Sequence, residues 1–320
     1  MMSSKISSLV ILLVWLGSGV NMLSCERDGR KQNSRHQDTN ASAPLRTPAN
    51  EGATVPSNGE IKELAAGNRS SIFESFVLVA RDVQTYAALR SLHNDLPEQS
   101  AAFFKSNAVI AVFLGQRRTS GYSVEITRES DGQVRIVEHA PAKDAMVKMV
   151  LTAPFKIVAM PVEIDHPVTF SLDTTWKNRL RPYRVTQGQL SITGGFAGVN
   201  ERLRLEGTLS IMRAGTFVTI LFELQSAGGK QPRQLRDTAS GVVDASGRVN
   251  LSHVDAFALT GALQSPFRVT GQFTENEQNL DLRFETIAAP NISDNFSATA
   301  SLKALATAPQ PANQAITGKL

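Results

Sequence analysis

Few residues of this chain are of the types that most often carry out chemistry. The 320-residue sequence has one cysteine, Cys25, and five histidines that are scattered without nearby ligands at metal-site spacing, among them His93, His139, His166 and His253. A single cysteine excludes an internal disulfide and any cysteine-based zinc or iron–sulfur centre. The sequence also lacks a Gly-x-Ser-x-Gly elbow, a His-Glu-x-x-His pair, a P-loop and a dinucleotide fingerprint. We therefore predict a non-catalytic protein without cofactor or metal, the alternative being a hydrolase whose triad is assembled only in space.

Cys25 lies where a lipid could be attached. Lys5 is followed by an apolar run at residues 9–16 (LVILLVWL), which is the layout of a signal peptide and is too short to span a bilayer. The small residue Ser24 precedes Cys25, and this resembles the bacterial lipobox, in which the cysteine is lipidated and becomes the new N-terminus. Glu26 in place of Asp points to the outer membrane. We predict a signal peptide over residues 1–24 and lipidation of Cys25; the alternatives are a plain secretory signal or a core cysteine.

A polar stretch separates this signal from the folded part of the chain. Residues 26–60 carry five basic and five acidic residues and show no apolar period. Such a segment buries too little apolar surface to offset its ordering entropy. We predict a disordered tether over residues 25–65 and a similar tail over residues 306–320.

A turn with two adjacent arginines is the first candidate contact site. Arg117, Arg118 and Thr119 lie between Gly115 and Gly121. Arginine is enriched at protein interfaces, so these three residues could form an exposed patch that contacts a partner. The alternative is an ordinary solvated loop.

The elements around this turn predict a small α+β domain over residues 66–165. Strand-like runs cover residues 73–80 and 108–114, and a helix capped by Asp82 lies between them. After the turn, Tyr122 begins an alternating strand, and Asp131-Gly132 signals a hairpin. Two further strands are predicted around residues 146–151 and 155–160. The domain is thus expected to be an antiparallel sheet with one helix, and the seven-residue apolar run at 108–114 to be buried on both faces.

These residues resemble the C-terminal domain of the PrcB family. The resemblance is carried by GQRRTSGYSVEI and, further on, by PAKDAMVKMVLTAPFKIVAMP. From the residues themselves, we predict that Gly121 shapes the turn and that Tyr122 enters the core, and we assign Gly115, Pro154 and Phe155 to the same structural motif. Ser120 stands where the family usually has glycine, and it would be strained if that position needs a positive φ. Founding members are lipoprotein subunits of a surface protease complex and are not themselves proteolytic, so the resemblance implies an accessory role.

The rest of the chain, residues 166–305, predicts an all-β sandwich or barrel. Strand-like segments follow one another with short turns such as Gly194-Gly195 and Ser246-Gly247. Within residues 202–211, alternate residues from Leu203 to Ile211 would share one face.

A second group of basic residues lies at the start of this β module. Lys177, Arg179, Arg181 and Arg184 surround Trp176 and Tyr183, and the chain after Pro167 carries fifteen basic and twelve acidic residues. This group could form a basic rim for an acidic partner or anionic lipid headgroups, or it could be a solvated loop.

Together these features predict a lipid-anchored protein of the bacterial cell envelope that binds protein partners. It would act as an assembly or stability subunit of a protease or another envelope complex. A net charge of +4 is too small to indicate nucleic-acid binding. The alternative function is that of a carrier, with a small apolar ligand or lipid inside the β module.

Overall fold

The structure is a computed structural model that describes six stretches of the chain, namely residues 60–162, 166–194, 199–228, 233–254, 267–287 and 294–305. The predicted signal peptide, Cys25, most of the predicted tether and the predicted tail lie outside these residues. All described residues belong to one compact unit. Within the described residues, no helix is long and apolar enough to cross a membrane.

In the N-terminal part, the residues that the structure describes form seven strands, two helices and one 3₁₀ turn. In chain order these are β1 (Lys62–Gly67), β2 (Phe76–Ala80), α1 (Val83–Arg90), the 3₁₀ turn (Phe103–Lys105), β3 (Asn107–Phe113), β4 (Ser123–Arg128), β5 (Val134–His139), β6 (Phe155–Pro161), β7 (Phe170–Ser171) and α2 (Thr174–Lys177).

A four-stranded antiparallel sheet in the order β1-β6-β3-β2 is the centre of this part. All seven residues of β3 are buried, which confirms the prediction from the apolar run. Tyr86 and Leu89 of α1 belong to the core around this sheet. The Asp82 carboxylate accepts a hydrogen bond from the Thr85 N–H at 2.7 Å, so the predicted N-cap is confirmed.

A second sheet, formed by β4, β5 and β7, supplies further residues to the same core. The hairpin between β4 and β5 has Gly132 at φ +85°, and the Glu129 N–H donates to the Gln133 carbonyl at 2.8 Å. The Asp131-Gly132 hairpin prediction is therefore confirmed. Val124 and Ile136 from this hairpin are buried in the core. The alternating pattern placed these residues on one face, and this face is the buried one.

The strand predicted around residues 146–151 is wrong. This segment has no regular secondary structure, and most of its side chains are exposed. Its apolar residues alternate too weakly to provide a buried face, and the isolated β-bridge next to it joins Arg117 to Thr152, just after the segment. Conversely, β1 begins at Lys62 within the stretch predicted to be a tether, and it is ordered by pairing with β6. Phe170 and Trp176 pack with the first core although they lie beyond the predicted boundary at residue 165.

Eight long strands follow and close into an antiparallel barrel. They are β8 (Arg181–Gly194), β9 (Val199–Ala214), β10 (Phe217–Ala227), β11 (Gln234–Val243), β12 (Arg248–Val254), β13 (Phe267–Thr274), β14 (Asn279–Thr286) and β15 (Asp294–Ala304). Each strand pairs with the next along the chain, and β15 pairs with β8 to complete the ring. The predicted all-β module is therefore a closed barrel.

Apolar side chains fill the described interior of the barrel. Leu203, Leu205, Leu209 and Ile211 are buried there, as the alternation in β9 predicted. Aromatic rings meet across the interior, with centroids 5.8 Å apart for one pair and 6.4 Å for another: Phe222 with Phe284, and Phe267 with Phe284. An eight-stranded barrel is just wide enough to be filled by its own side chains. This packing favours a solid core over the predicted alternative of an apolar ligand cavity.

The outer edge of β2 is hydrogen-bonded to side chains on the barrel wall rather than to another strand. Thr219 Oγ1 donates to the Val77 carbonyl at 2.5 Å, and the Val79 N–H donates to Ser240 Oγ at 2.7 Å. Ser252 Oγ lies 3.5 Å from the Val79 carbonyl. The three hydroxyl-bearing residues are buried. Because an unpaired buried backbone group is costly, these hydroxyls stabilise the edge strand against the barrel.

An ion pair beside this contact also joins the two parts. Arg81 Nη1 donates to Asp237 Oδ2 at 2.7 Å, and Arg81 Nη2 donates to the His166 carbonyl at 2.5 Å. Asp237 Oδ1 accepts from the Val168 N–H at 2.7 Å. These bonds hold the chain at His166 and Val168, which leads from the N-terminal part to the barrel, to Arg81 on one side and to Asp237 on the other.

Candidate functional site

The turn from Gly115 to Gly121 follows β3 directly and is shaped by its two glycines. Gly115 has φ +76°, and a Cβ there would lie 2.7 Å from the Phe73 carbonyl oxygen. Gly121 has φ +93°, and a Cβ there would lie 3.0 Å from Pro141 Cβ. Only glycine fits both the backbone conformation and the space at these positions. The structural roles predicted for the two glycines are consistent with this geometry.

The Arg117 side chain makes its contacts within the protein. Its guanidinium forms a bidentate ion pair with Glu138, with nitrogen–oxygen distances of 2.8 to 2.9 Å, and the side chain is 18% exposed. The same guanidinium lies 5.5 Å from the centroid of the Tyr122 ring. Tyr122 is half-buried against the core rather than fully enclosed in it. Arg117 therefore holds the turn to β5, and little of it is available to a partner.

Ser120 connects the turn to the segment that precedes β6. Its N–H donates to the Lys148 carbonyl at 3.0 Å, and its Oγ accepts from the Lys148 N–H at 3.0 Å. The φ of Ser120 is outside the left-handed region, so serine in place of the family's glycine is unstrained here. The Thr152 hydroxyl adds a bond to the Thr119 carbonyl at 3.0 Å. The segment over residues 145–152, which we call the methionine segment, is therefore fixed along the turn.

The methionine segment presents large apolar side chains to solvent. Met146 is fully exposed, Met149 is 83% exposed and Leu151 is 64% exposed, and Val150 is exposed as well. Val147 points the other way, since its Cγ1 would lie 3.4 Å from a Cβ built on Gly121. Hydrogen bonds thus fix the backbone of a segment whose apolar side chains contact little of the protein. Contiguous exposed apolar residues of this kind are typical of interaction sites.

Phe73 extends this apolar surface on the loop between β1 and β2. It is 61% exposed, and together with Leu151 it lines a depression of about 120 Å³. The Arg69 side chain is exposed at the rim of the same depression. The Gln116 N–H donates to the Phe73 carbonyl at 2.9 Å, so the turn positions this loop too. We call Phe73, the methionine segment and Arg118 the apolar ridge.

Arg118 is the one predicted contact residue of the turn that is fully available. Its side chain is exposed and forms no ion pair within the described residues. Lys148, also exposed, lies on the methionine segment itself. Thr119 is partly buried and uses its carbonyl to hold Thr152. The structure thus separates the three predicted residues into one that is free to contact a partner and two that shape the turn.

Pro154 and Phe155 close the segment onto the sheet. The Leu114 N–H donates to the Pro154 carbonyl at 2.9 Å, and Phe155 begins β6 opposite Phe113.

The ring of His93 packs against the same two aromatic residues, with its centroid 4.6 Å from the Phe155 ring and 5.7 Å from the Phe113 ring. Burial lowers the pKa of His93 below its ordinary value, and the nearby Asp95 carboxylate opposes this only in part.

The second predicted contact group lies apart from the ridge along the chain, on α2 and at the start of β8. Lys177 and Arg179 are exposed, whereas Arg181 forms an ion pair with Glu277 at 3.7 Å and lies over the Tyr183 ring. Glu277 also pairs with Arg213. Part of this positive charge is therefore neutralised within the protein. Among the described residues, the exposed large apolar side chains lie on other segments than α2 and β8.

No group of three or more potential metal-ligating side chains is found in the described part of the chain. The His139 imidazole lies 2.9 Å from the Glu125 carboxylate, on the exposed face of the β4–β5 hairpin.

The exposed methionines are the feature of the site that the sequence pattern did not predict, since it placed them in a strand. A signal was nevertheless present in the chain. The residues from Ala145 to Ala153 are apolar except for Lys148 and Thr152, and they lie between Pro141 and Pro154. Pro141 and Pro154 flank this run, and a strand cannot continue its hydrogen-bond ladder through a proline.

Comparison with known proteins identifies one region. Residues 108–161, which are 54 of the 320 residues, match the family model of the PrcB C-terminal domain. The match confirms the predicted resemblance and contains both the turn and the methionine segment. No curated protein and no solved structure is significantly similar to the chain.

Proposed function

We propose that this protein is a lipid-anchored accessory subunit of a cell-envelope complex, and that it binds its protein partner through the apolar ridge. The observation that carries this proposal is the exposure of Met146, Met149 and Leu151 on a backbone that the family turn fixes in place. Methionine suits such a surface because its unbranched, polarizable side chain adapts to the partner's shape. The PrcB match supports a partner within a protease complex.

The ridge is large enough to drive binding only together with polar contacts. Burying one large apolar side chain contributes roughly 1.5–3 kcal/mol. The four most exposed members, Phe73, Met146, Met149 and Leu151, would then contribute about 6–12 kcal/mol. Association itself costs about 4–15 kcal/mol in lost freedom. The apolar term therefore offsets the cost of association, and charged contacts are needed for a stable and specific complex.

The charges around the ridge define the partner's chemistry. Arg69, Arg118 and Lys148 are exposed at or beside the apolar side chains, and Glu74 is the acidic neighbour on the same loop. This excess of positive charge favours an acidic segment that also carries apolar residues. Arg69 and Arg118 can each bind a carboxylate with two parallel hydrogen bonds, which the Lys148 ammonium cannot do.

The anchor completes the proposal. Lipidation of Cys25 would hold the protein at the membrane surface, and a flexible tether of some 35 residues would let the folded part reach roughly 30 Å from it. Cys25→Ser should move the protein from the membrane fraction to the soluble fraction and abolish labelling by a fatty-acid probe. A wild-type protein that is soluble and unlabelled would exclude the anchor while leaving the ridge proposal untouched.

The proposed function is tested by affinity purification of the tagged, detergent-solubilised protein from its native cells. The Met146→Ser, Met149→Ser double variant should lose the proteins that co-purify with wild type. Leu92→Ser is the matched control, because Leu92 is an exposed apolar residue just after α1, outside the ridge. Retention of every partner by the double variant, as quantified by mass spectrometry, would contradict the proposal.

A further inference from the structure

A broad groove runs over the outer wall of the barrel, away from the apolar ridge in sequence. It has a volume of about 860 Å³ and crosses four strands, β12, β13, β14 and β15. Gln84 of α1 lines the groove together with the barrel residues. Ligand-binding clefts usually have volumes of about 300–1,000 Å³ and often lie where two domains meet.

Two rows of polar residues cross the floor of the groove. Strand pairing places Arg248 opposite Gln272, Gln272 opposite Asp281, and Asp281 opposite Ser301. Each row thus supplies one polar side chain per strand, at the strand spacing of about 4.8 Å. Four strands at that spacing extend the row over roughly 14 Å.

The second row lies two residues along each strand. Asn250 pairs with Thr270, Thr270 with Arg283, and Arg283 with Thr299. The residues between the rows, such as Leu282, point into the barrel core. The outer face of these four strands is therefore a grid of amides, hydroxyls and charges of both signs, without a large apolar side chain in either row.

Internal hydrogen bonds fix several of these groups in position. The Asn250 amide donates to Gln84 Oε1 at 3.3 Å, and the Gln272 amide donates to the Ser246 carbonyl at 2.6 Å. Asp244 at the edge of the groove accepts from the Ser246 hydroxyl, and this bond holds the pKa of Asp244 below its ordinary value. By contrast, the Asp281 carboxylate forms no ion pair or side-chain hydrogen bond in the part of the chain that the structure describes. It is an acceptor available to a ligand.

We propose that this groove binds a neutral, hydroxyl-rich ligand, namely a saccharide chain. Arg283 forms an ion pair with Glu285 at 2.7 Å, and Arg248 shares the groove with Asp244 and Asp281, so the site does not select for an anion. A peptide strand would need a free sheet edge or apolar side-chain pockets, and a closed barrel has no free edge. A saccharide instead uses closely spaced donors and acceptors, which the two rows provide.

The inference is tested with the full-length protein in a detergent that has no sugar headgroup. Chitotetraose and maltotetraose are titrated separately, and binding is followed by calorimetry and by saturation-transfer NMR. At least one should bind saturably, and Asp281→Ala should weaken that binding about ten-fold or more, because the lost hydrogen bond is to a charged group. Glu223→Ala is the matched control, since Glu223 is an exposed acidic residue on β10 outside the groove, and it should leave the affinity within about two-fold of wild type.

Two outcomes overturn the inference. The first is the absence of saturable binding to both tetrasaccharides and to an array of neutral glycans. The second is binding that Asp281→Ala leaves unchanged, since the ligand would then lie elsewhere on the protein. Neither outcome depends on a protein partner, so the failure of this inference is separate from a failure of the proposed function.

Discussion

Arg81 and Asp237 form a buried ion pair across the junction between the N-terminal part and the barrel. The guanidinium nitrogen and the carboxylate oxygen are 2.7 Å apart, and the two side chains are 2% and 0% exposed. The barrel residues Thr219 and Ser240 add hydrogen bonds from their hydroxyl groups to the backbone of β2. The junction is therefore a buried polar contact. The two parts should therefore behave as one folded unit.

Removal of the acidic partner should destabilise the whole protein. Asp237→Ala leaves the Arg81 charge buried without its partner, and breaking a buried pair in this way typically costs about 3–5 kcal/mol. Urea denaturation followed by circular dichroism should show a lower free energy of unfolding and, in the wild type, a single transition. The exposed pair of Arg236 with Glu223 is the control, since Arg236→Ala should cost about 0–1 kcal/mol. Two separate transitions in the wild type would show that the junction does not couple the parts.

Sequence patterns predicted the elements with strong local signals. The apolar run of β3, the capping residue Asp82, the Asp131-Gly132 hairpin and the alternation in β9 all act within a few residues, and each is confirmed. The junction between the parts was not predicted, because the partners of β2 lie more than 140 residues away along the chain. The hydroxyls of Thr219 and Ser240 look in the sequence like ordinary strand residues.

The candidate site was predicted in part, for a similar reason. The turn around Arg117 and Arg118 is visible in the sequence, but the bidentate contact of Arg117 with Glu138 depends on how β5 returns beside the turn. The methionine segment was wrongly predicted to be a strand because an apolar run by itself predicts burial. The sequence does not show whether another element packs against the run in the folded protein. Exposure is a property of the tertiary structure, and only the structure shows that no described element covers Met146 and Met149.

The two adjacent arginines should differ in their effects. Arg117→Ala removes a charged, partly buried hydrogen-bonded pair and should lower the free energy of unfolding by about 1.5–3 kcal/mol. Arg118→Ala should change stability by less than about 0.5 kcal/mol, because the residue is exposed and forms no ion pair in the described structure, yet it should weaken partner capture. Thermal denaturation and affinity purification of both variants provide the measurement. Equal losses of stability would contradict the assigned roles.

Gly115 should be far less replaceable than another glycine with a positive φ. Gly115→Ala would suffer both the backbone strain and a Cβ contact of 2.7 Å with the Phe73 carbonyl oxygen. Gly215 has φ +56° and open space around it, so Gly215→Ala should cost only the backbone strain of about 1–2 kcal/mol. Denaturant midpoints of the two variants make the comparison. A smaller loss for Gly115→Ala would mean that the loop at Phe73 moves away freely.

His93 should make the protein less stable in weak acid. Because burial lowers its pKa in the folded state, the unfolded chain binds the proton more readily. The stability present above the ordinary histidine pKa of about 6.5 is then lost as the pH falls from there towards the lowered value. The urea midpoint should fall between pH 7.5 and pH 5.5, and it should fall less in His93→Phe, which keeps a ring against Phe155. An identical fall in both proteins would assign the acid sensitivity to other groups.

The most direct measurement of the central claim is site-specific photo-crosslinking in native cells. Met149 is replaced by p-benzoylphenylalanine in the full-length protein, and Glu223 on the barrel wall is replaced in the same way as a control. After irradiation, the probe at position 149 should yield a discrete larger species that contains a second protein, and the probe at position 223 should not. A second protein captured from position 223 with none from position 149 would contradict the assignment of the apolar ridge as the partner-binding surface.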